Sequence, residues 1–135
     1  MKSIITITLI IHSLISFGQS GQLTDEDYNG SGAIKLVFFS EIEKAQELAQ
    51  ADIDKGTPFL LLQSGIAPFT HATDGIFEND FKVYYYEQGC TGPGYEMMKA
   101  YNQVIFKYLD ENYGKKWRKS IRKDVIGVKK WKGKN

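Results

Sequence analysis

The chain has 135 residues, 42% of them hydrophobic and 24% charged, with a formal net charge of +1 at pH 7. That length and balance fit one globular domain with one modest core and argue against a second domain. The single cysteine, Cys90, excludes an internal disulfide.

The first eighteen residues read as a leader. Met1 and Lys2 form a short positive start, and the run from Ile4 to Phe17 is almost wholly apolar. Ser16 and Gly18 are small residues where a signal peptidase reads its substrate, so cleavage is expected before Gln19. The run is shorter than the roughly 20 residues a spanning helix needs. No cysteine follows it, which excludes lipid attachment there. The expected product is exported, periplasmic or secreted, with no transmembrane segment in the mature chain. His12 leaves with the leader, and His71 becomes the only histidine.

The near-zero net charge hides an asymmetry. Gln19 to Tyr113 holds six lysines and fifteen acids, whereas Gly114 to the end holds ten Lys or Arg and one acid, Asp124. The mature protein is thus an acidic body with a basic end.

Taken in order, residues 19–32 are polar and carry Gly30-Ser31-Gly32, the signature of a flexible linker. A single domain then spans 33–131. Ala33 to Phe39 is rich in β-prone residues and predicts a strand. Ser40 and Glu43 have capping-box spacing, and Ile42, Ala45, Leu48, Ala49 and Ile53 follow a helical period, so a helix is expected from Ser40 to Lys55. Phe59 to Leu62 is a continuous apolar run, the mark of a strand covered on both faces. A loop through Pro68 and His71 leads to a short helix at 74–81, with Phe77 and Phe81 on one side.

Lys82 to Gln88 predicts the next strand, and Gly89 to Gly94 a tight glycine turn. A long amphipathic helix follows, with Met97, Met98, Tyr101, Val104, Ile105, Tyr108 and Leu109 in one stripe and Gly114 just past its end. That stripe is expected to pack the core, with the lining of a ligand cavity as the alternative. Lys115 to Asp124 predicts a second short helix, then an apolar patch at 125–128 with Trp131, and a basic tail at 132–135. This order argues for an α/β fold: a small, three-stranded, mainly parallel sheet flanked by helices, with two C-terminal helices.

The helix followed by Gly56-Thr57-Pro58-Phe59-Leu60-Leu61-Leu62 faintly resembles thioredoxin-like folds, but the Cys-x-x-Cys of their redox chemistry is absent. Phe77-Glu78, Gly89-Cys90, the run Tyr113 to Lys119 and the run Ile121 to Gly127 together resemble small exported proteins of unknown function from Bacteroidetes-type bacteria, over roughly residues 40–131. That resemblance implies no reaction.

In a parallel α/β sheet, ligands bind beyond the carboxyl ends of the strands. That edge should gather the loop Gln63 to His71 and the turn Glu87 to Gly94. One candidate there is a Cys90 nucleophile with His71 as base, the pairing a small hydrolase or acyl transferase would use. A second is ligand or anion binding by Gly89, Thr91, Gly92, Gly94 and Tyr95 at the start of the long helix. The spacing matches neither a phosphate loop nor a dinucleotide fingerprint. Carboxylate pairs, Glu87 with Glu96 or Asp74 with Glu78, are a third.

One histidine and one thiol cannot close a zinc site, and no cofactor is expected. The basic end is a fourth candidate. Lys115, Lys116, Arg118, Lys119, Arg122 and Lys123, interleaved with Trp117 and Trp131, suit an anionic lipid or polysaccharide, or lie against the acidic body of the same molecule. Export argues against nucleic acid. The leading expectation is a non-catalytic binding or interaction module of the bacterial envelope, with an envelope protein as partner.

Overall fold

A computed structural model of the chain describes residues 22–65 and 67–134, so the leader read at 1–18 lies outside the described residues. The helices are α1 (Asp25–Asn29), α2 (Gly32–Lys35), α3 (Ile42–Asp54), α4 (Asp74–Phe81), α5 (Tyr95–Tyr113) and α6 (Val128–Lys132). Short 3-10 turns occupy Leu36–Phe38 and Lys116–Lys119. The strands are β1 (Phe59–Gln63) and β2 (Tyr84–Gln88), and they run parallel, with Phe59 opposite Tyr84 and Gln63 opposite Gln88. Helices and a parallel sheet are therefore present, but the sheet among the described residues has two strands, not three.

The missing strand is 33–39. Its residues form α2 and a 3-10 turn instead, and tertiary contacts override the β propensity. Ser31 caps α2 by accepting from the Ile34 N–H. The carboxylate of Asp52, on α3, accepts from Gly32 N at 2.7 Å and Ala33 N at 3.0 Å. Tyr101 Oη, on α5, donates to the same carboxylate at 2.6 Å. Burial, with the Asp52 charge beside it, pushes the Tyr101 phenol well above its ordinary pKa. The helical turn buries Ala33 and Leu36, three residues apart, and leaves Val37 and Phe38 outside.

Residues 22–32 also differ from the expected linker. Thr24 and Asp27 form a reciprocal capping box that starts α1. Gly32 sits where a side chain cannot: a Cβ there would lie 2.5 Å from the Leu48 carbonyl oxygen. Gly32 thus serves close packing against α3. The capping box expected at Ser40 does not form; Glu41 is the N-cap of α3, without a side-chain cap bond.

β1 lies at the centre of the molecule. Phe59, Leu60, Leu61 and Leu62 are all buried, as the continuous apolar run predicts. One edge pairs with β2. The other has no strand partner among the described residues, and Asn102 of α5 serves it. Its Nδ2 donates to Leu61 O at 2.9 Å and to Ile126 O at 3.0 Å, and its Oδ1 accepts from Leu61 N at 2.8 Å. Leu62 adds a single antiparallel bridge to Val125, and Ile126 N donates to Leu61 O at 3.2 Å. A buried amide thus stands in for part of the third strand. α5 buries Met97, Met98, Tyr101, Ile105, Phe106 and Leu109, so the methionine and tyrosine stripe packs the core; Val104 and Tyr108 are half-buried.

Of the two expected C-terminal helices, the long one forms as α5 and the second does not. Lys115 to Asp124 forms only the 3-10 turn, and α6 follows instead. Trp117 is fully buried and stacks on Phe106 with ring centroids 5.6 Å apart. Burying such a ring stabilises by roughly 2–3 kcal/mol, which outweighs the weak helical propensity of the segment. Asp110 of α5 fastens this end. It accepts from Trp117 Nε1 at 2.9 Å, Trp131 Nε1 at 2.9 Å and Arg118 Nη2 at 2.8 Å. The two tryptophans therefore turn inward and are not an aromatic face among the lysines. No helix among the described residues is long and apolar enough to cross a membrane.

Two measurements test this core. Asn102→Leu strands buried Leu61 and Ile126 backbone groups, so urea unfolding should report a loss of about 3 kcal/mol; an unchanged midpoint would contradict the edge-closing role. Burial alone would raise the Asp110 pKa, but the bonds from Arg118, Trp131 and Trp117 outweigh it and hold it below the ordinary 3.8. Stability from Asp110 is then fully present above about pH 4 and lost as pH falls through the lowered pKa. Asp110→Asn should flatten that acid limb of the stability curve and lower stability at neutral pH.

Candidate functional site at the strand ends

Because β1 and β2 are parallel and in register, their trailing loops leave from the same end. Leu62 faces Glu87 and Gln63 faces Gln88 at the last pairs, and Ser64 N donates to Gln88 O at 3.1 Å. The described residues that follow β1, 64–65 and 67–73, and the 89–94 turn therefore start from one rim, as expected from the sequence.

What organises the rim is Arg122. Its Nη1 donates to Glu87 Oε1 at 3.1 Å, Asp74 Oδ2 at 3.1 Å and Phe69 O at 2.9 Å. Its Nε and Nη2 fork onto Asp124 at 3.0 and 2.6 Å. The guanidinium lies 5.6 Å from the Tyr85 ring centroid, and the Arg122 backbone N–H donates to Tyr85 Oη at 3.1 Å. Glu87 also accepts from Phe69 N, at 3.0 and 3.2 Å to its two oxygens. One side chain from the basic end thus ties together the β1 loop, α4, the end of β2 and the 122–124 segment.

The cluster is desolvated. The side chains of Arg122, Asp74 and Glu87 are 8%, 7% and 11% exposed, whereas Asp124 is 54% exposed. The Asp124 bond raises the Arg122 pKa, and the Arg122 bond lowers that of Asp124. Burial drives the Tyr85 phenol well above its ordinary value. Asp74 Oδ2 accepts from His71 N at 2.8 Å. Its other oxygen, Oδ1, is buried and has no hydrogen-bond partner among the described residues.

Cys90 and His71 share the rim and both are exposed. The His71 ring packs edge-on against Phe69, with centroids 4.9 Å apart. Among the described residues no hydrogen bond joins the Cys90 thiol to His71, so no base is placed on the thiol. In the glycine turn, Gly92 N donates to Gly89 O at 3.0 Å, and a Cβ on Gly92 would lie 2.8 Å from the Gln88 Cβ. The turn therefore uses one of its own amides to close itself. Gly94 is the N-cap of α5, and its carbonyl accepts from Met97 and Met98. Thr91 and Tyr95 are exposed.

The carboxylate pairs separate differently from expectation. Glu96 pairs with Lys99 at 2.9 Å, while Glu87 joins Arg122. Asp74 and Glu78 both line a cleft of about 430 Å³ with Glu87. Among the described residues no three His, Cys, Asp or Glu side chains converge to hold a metal ion. Of the basic candidates, Arg118 and Arg122 bind carboxylates of the same chain, whereas Lys115, Lys116, Lys119 and Lys123 are exposed.

Comparison with known proteins finds no matching family model, no matching curated protein and no matching solved structure.

Sequence reasoning placed Arg122 on an anionic-surface face and did not see it as the hub. A signal was present. Arg118 and Arg122 are the only arginines among seventeen Lys and Arg residues. Both fork onto carboxylates, where a lysine ammonium cannot bond bidentately. Arg122→Ala should leave Asp74 and Glu87 buried without a counter-charge and cost about 3–5 kcal/mol. Arg122→Lys keeps the charge but loses the fork, so its loss should be smaller, with faster amide exchange at Phe69 and His71. Equal stability of all three proteins would show that the cluster does not hold the loop.

Proposed function

We propose that this protein is an exported, non-catalytic binding module of the bacterial envelope, recognising its partner at the strand-end rim. The observation that carries the reading is the buried Arg122–Asp74–Glu87 cluster. It fixes the 67–73 loop and the end of β2 in the free protein. A surface ordered in advance loses less conformational freedom on binding. Phe69, 65% exposed, and Tyr95, 53% exposed, stand on that rim as aromatic side chains open to a partner.

The Cys90 thiol and the His71 imidazole are both exposed, and no hydrogen bond joins them among the described residues, which favours binding over acyl transfer. The four exposed lysines at 115, 116, 119 and 123 supply a positive flank for an anionic lipid or polysaccharide of the envelope.

Tagged protein should fractionate with the envelope of the producing cells and capture a reproducible partner. Phe69→Ser with Tyr95→Ser should abolish capture without moving the unfolding midpoint, because neither side chain is buried. Capture that survives both changes would place the partner surface elsewhere. Binding to anionic vesicles should fall steeply with salt and disappear when the four lysines become glutamate; salt-independent binding would remove the electrostatic flank.

A further inference from the structure

The cleft beside the Arg122 cluster has features the rim reading does not use. It is lined by Tyr28 of α1, Asp74 and Glu78 of α4, and Tyr85, Tyr86 and Glu87 of β2, with Arg122 at one end. Three carboxylates thus face one guanidinium, and that guanidinium is already engaged with Asp124 as well. The cleft carries excess negative charge between low-dielectric aromatic walls. Such a site attracts a cation.

Two observations narrow the class of cation. Asp74 is 5% exposed and its Oδ1 has no donor among the described residues. A buried acceptor left in this state is costly, and a ligand N–H would satisfy it. Glu78 accepts from Tyr85 N at 2.9 Å through Oε1, and no hydrogen bond is made by its Oε2 among the described residues. Burial raises the Glu78 pKa, against the lowering effect of the Tyr85 amide, and the neighbouring Asp74 charge raises it further. A second positive charge in the cleft would relieve that cost. Tyr28 and Tyr86, with ring centroids 6.4 Å apart, provide apolar surface for an alkyl stem. A quaternary ammonium has no N–H to give Asp74. Divalent metal is disfavoured by the absence, among the described residues, of a converging three-ligand group.

We propose that this cleft binds a primary alkylammonium group, with its N–H donors on Asp74 and Glu78 and its stem lying against the Tyr28 and Tyr86 side chains that line the cleft. The proposal rests on the rim acting as a binding surface and names the chemistry of what it takes. A free diamine and a lysine side chain present the same group, and the experiment separates them.

The test is an amide NMR titration of the purified protein at low ionic strength, with 1,5-diaminopentane, a short lysine-containing peptide and tetramethylammonium as probes. A primary amine should give saturable shifts confined to Tyr28, Thr70, Asp74 to Glu78 and Tyr85 to Glu87, with a Kd on the order of a millimolar. Tetramethylammonium should bind at least about tenfold more weakly. Tighter binding of the peptide than of the diamine identifies a protein lysine as the natural source, and the reverse order identifies a free amine.

Glu78→Gln retains an oxygen for the Tyr85 N–H and removes only the charge, so it should weaken amine binding about tenfold while the unfolding midpoint is maintained. Asp74→Asn is the second variant, read by the same titration once its spectrum shows the native fold. Shifts no larger than those from equivalent sodium chloride would overturn the proposal. So would equal binding of tetramethylammonium, or unchanged binding by Glu78→Gln. If the amines fail while capture still depends on Phe69 and Tyr95, the rim reading stands and only this assignment falls. If amine binding holds while capture ignores those aromatics, the reverse is true.

Discussion

A strand with four fully buried residues and, among the described residues, one strand neighbour is the constraint on which the rest of this molecule depends. β1 carries four buried apolar residues in a row, and its backbone groups have no access to water. Every such group needs a partner inside the protein. β2 supplies one edge. The Asn102 amide and the 125–126 segment supply the other. This explains why α5 lies against β1, and why the C-terminal segment returns across the molecule. It also explains why the parallel pair is held so that both trailing loops reach one end.

Charge is used in the same economical way. The acidic body and basic end that divide the sequence are folded onto each other at two points. Asp110 gathers Arg118 and two indoles, and Arg122 gathers Asp74, Glu87 and Asp124. A buried ion pair is weak evidence for stability, since desolvation offsets much of the attraction. Its effect here is positional. A guanidinium with several acceptors at fixed angles tolerates few arrangements of the loops that supply them. The rim is therefore shaped by the chain itself, and the cleft beside it keeps a surplus of carboxylate. The exposed lysines remain outside this arrangement, on the opposite side of the charge balance.

The outline of the fold was legible wherever local pattern and tertiary demand agree. The apolar run at 59–62, the stripe of α5 and its Gly114 stop, and the short helix at 74–81 all appear as read. The shared rim follows from the parallel pairing. The misreadings cluster where a distant residue decides. Residues 33–39 have strand-like composition, but Asp52 and Tyr101 hold the start of that segment as a helix. The Gly30-Ser31-Gly32 run looks like slack, but Gly32 is a close approach to Leu48. Trp117 looks like a surface aromatic among lysines, but Phe106 and Asp110 draw it inward.

By itself the sequence determined the strongly periodic elements, the helices at 42–54, 74–81 and 95–113 and the two strands, and the division of charge, because each is written in neighbouring residues. It also set the leader's export signature as an expectation. Only the tertiary structure decided which polar side chains would be buried and whom they would meet. Asn102 reaches residues 41 positions away, Asp52 about 50, and Arg122 more than 30. No local spacing encodes such partners, since a buried amide or carboxylate is placed by the shape of the whole core and the donors that shape brings to it.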